Sequence, residues 1–262
     1  TEKVQSPERL RMLIVLTVVD IRAVGPKVWN GWKGQLLRDL FEAAQEVLLA
    51  GHVEKGRDER VKGRQDLLRA RLSDWPRDQF DRYAARFRAP YWLAESDEIQ
   101  ERNARLIERS SGDEDVLALE FHVDHFQSVT HMALYTPDHP GLTYRVAGAI
   151  ALVGGSIADA KIHTSQDGMA MDNFTIQDEN GAAFDDPDRL ARLKARVHEV
   201  LLGEVKLRDI LSQKPSFKRQ SDVFHVEPVV LIDNNASNRF TVIEVNAADR
   251  PALVYRLTRT LF

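Results

Sequence analysis

Two groups of residues in this 262-residue chain are placed where they could do chemistry. The first is Asp20, which closes the apolar run Leu13-Ile14-Val15-Leu16-Thr17-Val18-Val19. A carboxylate in such a place is costly to bury unless it is paired or holds a metal. Arg22 or Lys27 would serve as a partner. The alternative is a hard oxygen ligand for Mg²⁺ or Mn²⁺, for which one carboxylate per helix is an ordinary contribution. The second group is the turn Asp138-His139-Pro140-Gly141, which follows an apolar strand and leads at once into a helix carrying Leu142, Val146, Ala149 and Ile150 on one side. The first N–H groups of such a helix lack intrahelical partners and lie at the positive end of its dipole, so a small anion such as an amino-acid carboxylate can sit there. Asp138 itself has a plainer use as an N-cap or Asx-turn.

The turn occurs twice. Pro140 and Pro251 lie 111 residues apart, and the same interval relates Asp138 to Asp249, Leu142 to Leu253, Tyr144 to Tyr255 and Arg145 to Arg256. Such self-similarity indicates one supersecondary unit used more than once. The copies differ at one telling place, where Ala252 replaces Gly141. If that position needs positive φ, the second copy is the weaker site.

The elements that would carry these residues fall into two halves. Ser6-Pro7-Glu8 reads as a helix start, and Gly25-Pro26 ends that helix. Its apolar middle predicts burial on several sides. An amphipathic helix follows over about residues 28–50, then a charged, Gly-punctuated loop over 51–63, then helices over about 64–72, 77–87 and 90–108. Residues 110–115 read as a linker. From residue 116 the hydrophobic period changes to that of strands. Strands are expected to about 123, over 129–135, from 157 to about 164 and over 169–177, with a hairpin at Asp167-Gly168. A helix follows over 187–202, then a polar spacer over 214–219, and extended chain over 223–232 and 239–246. The order from Val129 is β-α-β-β-α-β, a ferredoxin-like unit. His131 and His163, isolated on strands, read as structural.

Composition excludes several classes. A net charge of −4 gives no basic footprint for nucleic acid. The absence of cysteine rules out disulfides and thiolate metal sites and fits a reducing compartment such as the cytoplasm. The longest largely apolar run is too short to span a bilayer. The start at Thr1 and the stop at Phe262, within the second copy's helix, suggest a piece of a longer polypeptide.

The turn Thr136–Leu142 together with the hairpin sequence AKIHTSQDGMAMDNFTIQD resembles an ACT domain, a small module that commonly binds amino acids. LTVVDIRAVGPKVWNGWKGQLLRDLF resembles the end of the HD phosphohydrolase domain of the bacterial PII uridylyltransferase/uridylyl-removing enzyme family, and VLIDNNASNRFTVIEVNAADRPAL its second ACT domain. The resemblance implies an α+β chain: a helical end of an HD domain over residues 1–110, a linker and leading strand over 111–128, a first ACT domain over 129–232, and the start of a second over 233–262. It implies that Asp20 is the last aspartate of the HD metal set, for Mg²⁺ or Mn²⁺, with the other ligands elsewhere. It implies glutamine contacts at Asp138, His139, Gly141, Leu142, Ser156 and Ile157, and in the second copy at Asp249, Arg250, Ala252 and Leu253. The parent enzyme would use UTP, act on the PII protein and respond to glutamine, with an ACT-mediated dimer as a further expectation. This chain alone would be inactive. The competing expectation is a non-enzymatic amino-acid sensor or dimerisation module.

Overall fold

The protein is described from a computed structural model. It covers residue 4 and residues 6–25, 29–49, 56–110, 117–213, 227–235, 240–248, 250 and 252–262. Several expectations fall outside the described residues: Pro26 and Lys27, most of the 110–115 linker, the 214–219 spacer, and the elbow residues Asp249 and Pro251.

The first half is helical. α1 spans Pro7–Val24 and α2 Gly31–Leu49. Ser6 caps α1, its Oγ accepting from the Arg9 amide at 3.2 Å. Contrary to expectation, the apolar face of α1 is not buried: Leu13, Val15, Leu16 and Val19 are each at least half exposed. Among the described residues α2 is the main element packed along α1, and a helix apolar nearly all round needs more cover than one neighbour provides. α3 (Arg57–Arg71), α4 (Arg77–Arg86), α5 (Ala89–Ala94) and α6 (Asp97–Arg109) follow. The single helix expected over 90–108 is broken at Glu95-Ser96, because Ser96 starts a new helix by accepting the Ile99 amide on its Oγ. An aromatic cluster of Trp75, Tyr83, Phe87, Tyr91 and Trp92 holds these helices together, with Phe87 and Tyr91 stacked at 4.0 Å.

The second half is an antiparallel sheet of β1 (Ala118–Asp124), β2 (Val129–Pro137), β3 (Ser156–Thr164) and β4 (Met169–Gln177), in the order β1-β2-β4-β3. α7 (Leu142–Leu152) and α8 (Pro187–Leu201) cover one face, where Met132, Leu134, Ala170, Phe174 and Ile176 meet Val146, Ile150, Leu193 and Val197. The aromatic cluster of α3–α6 covers the other through Tyr135 and Met171. The sheet is therefore a middle layer with helices on both faces, an α+β architecture.

One feature of the expected unit is corrected. The strand beside β2 is β1, which precedes it, and not the strand that follows α8. β1 reaches β2 through the short turn 125–128, so local hairpin closure wins over a strand that must cross residues 214–226. After α9 (Leu207–Gln213), β5 (Val229–Asp233) and β6 (Val242–Asn246) form their own two-stranded sheet, and α10 spans Leu253–Leu261. β1-β2-α7 and β5-β6-α10 are thus the two copies of the repeat. Ala118 pairs with Tyr135, and 111 residues on Val229 pairs with Asn246, so strand register is conserved too.

Candidate functional site

The elbow between β2 and α7 is built by its own backbone. Gly141 takes the left-handed conformation, φ +83°, and an added Cβ would stand 2.5 Å from the Tyr144 ring. Both facts favour glycine. The Leu142 amide donates to His139 O at 3.2 Å and the Arg145 amide to Gly141 O at 3.2 Å. Among the described residues, the amides of Thr143 and Tyr144 have no acceptor. They are the orphan donors of a helix start, available to an anion.

Asp138 does not cap the helix. Its amide donates to Gly168 O at 2.9 Å, and its Oδ2 accepts from Thr164 Oγ1 at 2.6 Å. It ties the elbow to the β3–β4 hairpin and stays exposed. His139 is half-buried, its Nδ1 lying 3.2 Å from Pro140 O. The second elbow keeps the same backbone bonds: the Leu253 amide donates to Arg250 O at 3.1 Å and the Arg256 amide to Ala252 O at 3.0 Å. Ala252 also has φ +61°, so the alanine accepts the conformation that glycine has in the first copy.

Not all the expected ligand contacts come together. Asp138, His139, Gly141 and Leu142 share the first elbow. Ser156 and Ile157 begin β3, whereas the elbow lies by Thr164 at its end, roughly 26 Å away along an eight-residue rise. One amino acid cannot touch both within a single unit.

Asp20 stands on the exposed face of α1, and it is in none of the ion pairs found among the described residues. Exposure removes the desolvation cost that demanded a partner. Among the described residues, no group of three His, Cys, Asp or Glu side chains is placed to hold a metal. The described residues do not by themselves fit a metal site.

The sequence did not reveal two polar features of the sheet. On the face toward α4–α6, Glu95 is 1% exposed and its Oε1 accepts from His163 Nε2 at 2.9 Å and Asn173 Nδ2 at 2.8 Å. Lys161 Nζ lies 3.6 Å from Oε2 and donates to Ala94 O at 2.8 Å. The hairpin turn is fastened to α4 beside this cluster: the Gln166 amide donates to Arg86 O at 2.8 Å, and Arg86 pairs with Asp167 at 2.7 Å and with the Tyr135 hydroxyl. Next to it, a cavity of about 20 Å³, room for one water, lies between α6 and the sheet, edged by Arg102, His122, His131 and Asn173. Burial, with Arg102 adding to it, pushes His131 down to about 4. A sequence signal for Glu95 did exist, in the Ser-Asp-Glu that follows it and marks a new helix.

The second feature is Asp172, fully buried on β4 on the face under α7. Neither carboxylate oxygen makes a hydrogen bond of good geometry, although the His163 backbone amide is close enough to act on it. Burial, with the charge of Asp138 adding to it, pushes its carboxyl up to about 7 against the pull of the His163 amide. Its signal was an acid on the core-facing phase of a strand, between Ala170 and Phe174.

The chain has close relatives in sequence. It is 47% identical over 260 residues to a bifunctional uridylyltransferase/uridylyl-removing enzyme of Azospirillum brasilense, a match covering 98% of this chain and 28% of that protein. It is 46% identical over 260 residues to the enzyme of the same name from Novosphingobium aromaticivorans, covering 99% and 28%. With that of Gluconobacter oxydans it shares 42% over 263 residues, again 99% and 28%. The chain therefore spans about 28% of the length of the curated relatives it matches. No family model matches it, and no solved structure does.

Proposed function

We infer that the chain is a segment of a bifunctional uridylyltransferase/uridylyl-removing enzyme, and that within it the sheet units sense an amino acid, glutamine, on behalf of the activity that removes uridylyl groups from the PII protein. The observation that carries the sensing half is the β2–α7 elbow, with its left-handed Gly141, two orphan amides and a side-chain tie to the neighbouring hairpin. What supports the enzymatic half is the match to these enzymes along the whole chain at 47% identity.

Coupling has a physical route in this reading. The hairpin turn 165–168 is held by Asp138 on one side and by Ala85 and Arg86 of α4 on the other. On β3, Thr164 faces the elbow while its neighbour His163 faces Glu95 in the helical half. A ligand that moved the elbow would move both contacts, and the balance between the two activities would shift by the difference in its affinity for the two arrangements. Asp20 would join metal ligands supplied from outside these 262 residues. PII and UTP belong to the longer enzyme, and a sheet-mediated dimer remains part of the same proposal.

Calorimetry with L-glutamine on this chain tests the sensing half. Saturable heat is expected, and heat with a different amino acid alone would redirect the specificity. In a full-length enzyme, Asp20→Asn is expected to abolish uridylyl removal and leave uridylyl transfer intact. Retained removal would refute the ligand role of Asp20. Amino-acid binding by an enzyme-length protein with neither activity would favour the plain sensor.

A further inference from the structure

We propose that Asp172 is the residue that recognises the ammonium group of an α-amino acid held in the Asp138–Gly141 elbow, its two free oxygens taking N–H donors while the amides at the start of α7 take the ligand's carboxylate. The proposal rests on the reading of the elbow as an amino-acid site and adds the residue that selects a zwitterion.

Among the described residues, Asp172 is the buried carboxylate with neither oxygen in a well-formed hydrogen bond, the His163 backbone amide lying near it without closing one. Buried polar groups are normally satisfied, and an acid left with two open acceptors calls for an explanation. Its place in the sheet supplies one. Asp172 pairs with Leu134 on β2 and Ile162 on β3, and the next pairs on the same face toward the elbow, those of Ala170, bring in Thr136 and Thr164. Thr164 is the residue that holds Asp138. The acid therefore lies on the α7-covered face, two residue pairs from the side chains that fasten the elbow.

The charges point the same way. Asp138 and Asp172 repel each other at this end of the sheet. Leu142 and Val146 on α7 and Leu134, Thr136, Ile162 and Thr164 on the strands bring no base to them, and Arg145 lies with its Nε 3.5 Å from the Tyr144 hydroxyl. A lone anion at the helix start would be repelled by the acids, and a lone cation would leave the amides unused. A zwitterion answers both. Asp172 is one strand in from the edge, and its edge-strand neighbour Ile162 is 43% exposed. Ligand entry past Ile162 would displace β3, which carries His163 to Glu95 on its other face.

The test is calorimetry on the 262-residue chain near pH 7 with L-glutamine and with 4-carbamoylbutanoate, the same molecule without its amino group. The chain is expected to prefer glutamine by about tenfold or more, and Asp172→Asn to lose that preference while binding the des-amino compound at least as tightly as before, since ~1.4 kcal/mol is tenfold. A second readout needs no variant. Asp172 shares a proton near neutral pH and must ionise to meet an ammonium, so titrations in two buffers of different ionisation heat are expected to show proton release with glutamine and none with the des-amino compound. Equal affinity for the two compounds, an unchanged preference in Asp172→Asn, or no difference in proton release would each overturn the role of Asp172 and leave the elbow reading standing. If glutamine is inert and another amino acid binds, that amino acid and its des-amino form take the same comparison. If no amino acid binds, the elbow reading fails and the role of Asp172 falls with it.

Discussion

A buried and a half-buried titratable group on opposite faces of the sheet pull stability in opposite directions. Asp172 has its carboxyl raised from 3.8 to about 7 by burial. The folded chain then holds a proton that the unfolded chain has released, so this group costs stability progressively as pH rises from 3.8 to 7, by up to ~4 kcal/mol. His131 is lowered from 6.5 to about 4 by burial. Here the unfolded chain holds the extra proton, so stability falls as pH drops from 6.5 to 4, by up to ~3 kcal/mol. The two slopes oppose each other in wild type. Between pH 4 and 7 melting temperature is expected to rise more steeply with pH in Asp172→Asn than in wild type, and less steeply or to fall in His131→Gln; parallel curves for all three would contradict these assignments. Glu95 is a different case, because its Oε1 is fully engaged by His163 and Asn173. Glu95→Ala would leave both donors buried and unpaired, and a loss of ~2–4 kcal/mol is expected in denaturant unfolding. At this scale the sequence was least informative. Type and spacing drew attention to Asp138, but its partner Thr164 is 26 residues away, and Asp172 and Glu95 became visible only once the strand phase and a helix break put them inside.

Among the elements, α7 and α10 carry the repeat's own contact. Tyr255 near the start of α10 lies over Gly148 of α7, and Phe262 beyond its end lies 5.2 Å from Tyr144 near the start of α7, so the two helices run antiparallel. Equivalent residues meet: Tyr144 and Tyr255 face each other at 6.3 Å. A Cβ at position 148 would stand 2.6 Å from Leu207 and 3.0 Å from Tyr255. Gly148→Ala is therefore expected to cost ~1–3 kcal/mol and to loosen α10, seen as faster amide exchange over 253–261 with the sheet unaffected. Ala252→Gly should act the other way and stabilise by ~1 kcal/mol, by relieving a left-handed alanine. Element positions were largely readable, because caps and hydrophobic period are local signals. Ser6 gave the start of α1, and Asp167-Gly168 gave the β3–β4 turn. The break at Glu95-Ser96 was missed because a short helix stacked directly on another keeps the same apolar spacing across the join.

For the molecule as a whole, the α+β class and the change from helices to sheet were legible in the shift of hydrophobic period near residue 116. The fourth strand was not, since which strand takes an edge depends on loop closure and not on pattern. Among the described residues, the uncovered face of α1 and the exposed Val230, Leu231 and Ile232 of β5 are runs of apolar surface left open to solvent. Conserved register has a kinetic consequence. Because β5-β6 keeps the pairing frame of β1-β2, either hairpin offers β4 a ladder of the right phase, and a refolding chain can seat the wrong twin. On the ribosome the contest is settled by birth order, since the earlier hairpin emerges and docks before its rival has been made. Denaturant-diluted chains lack that head start, and their slow-folding fraction should shrink when residues 227–262 are removed.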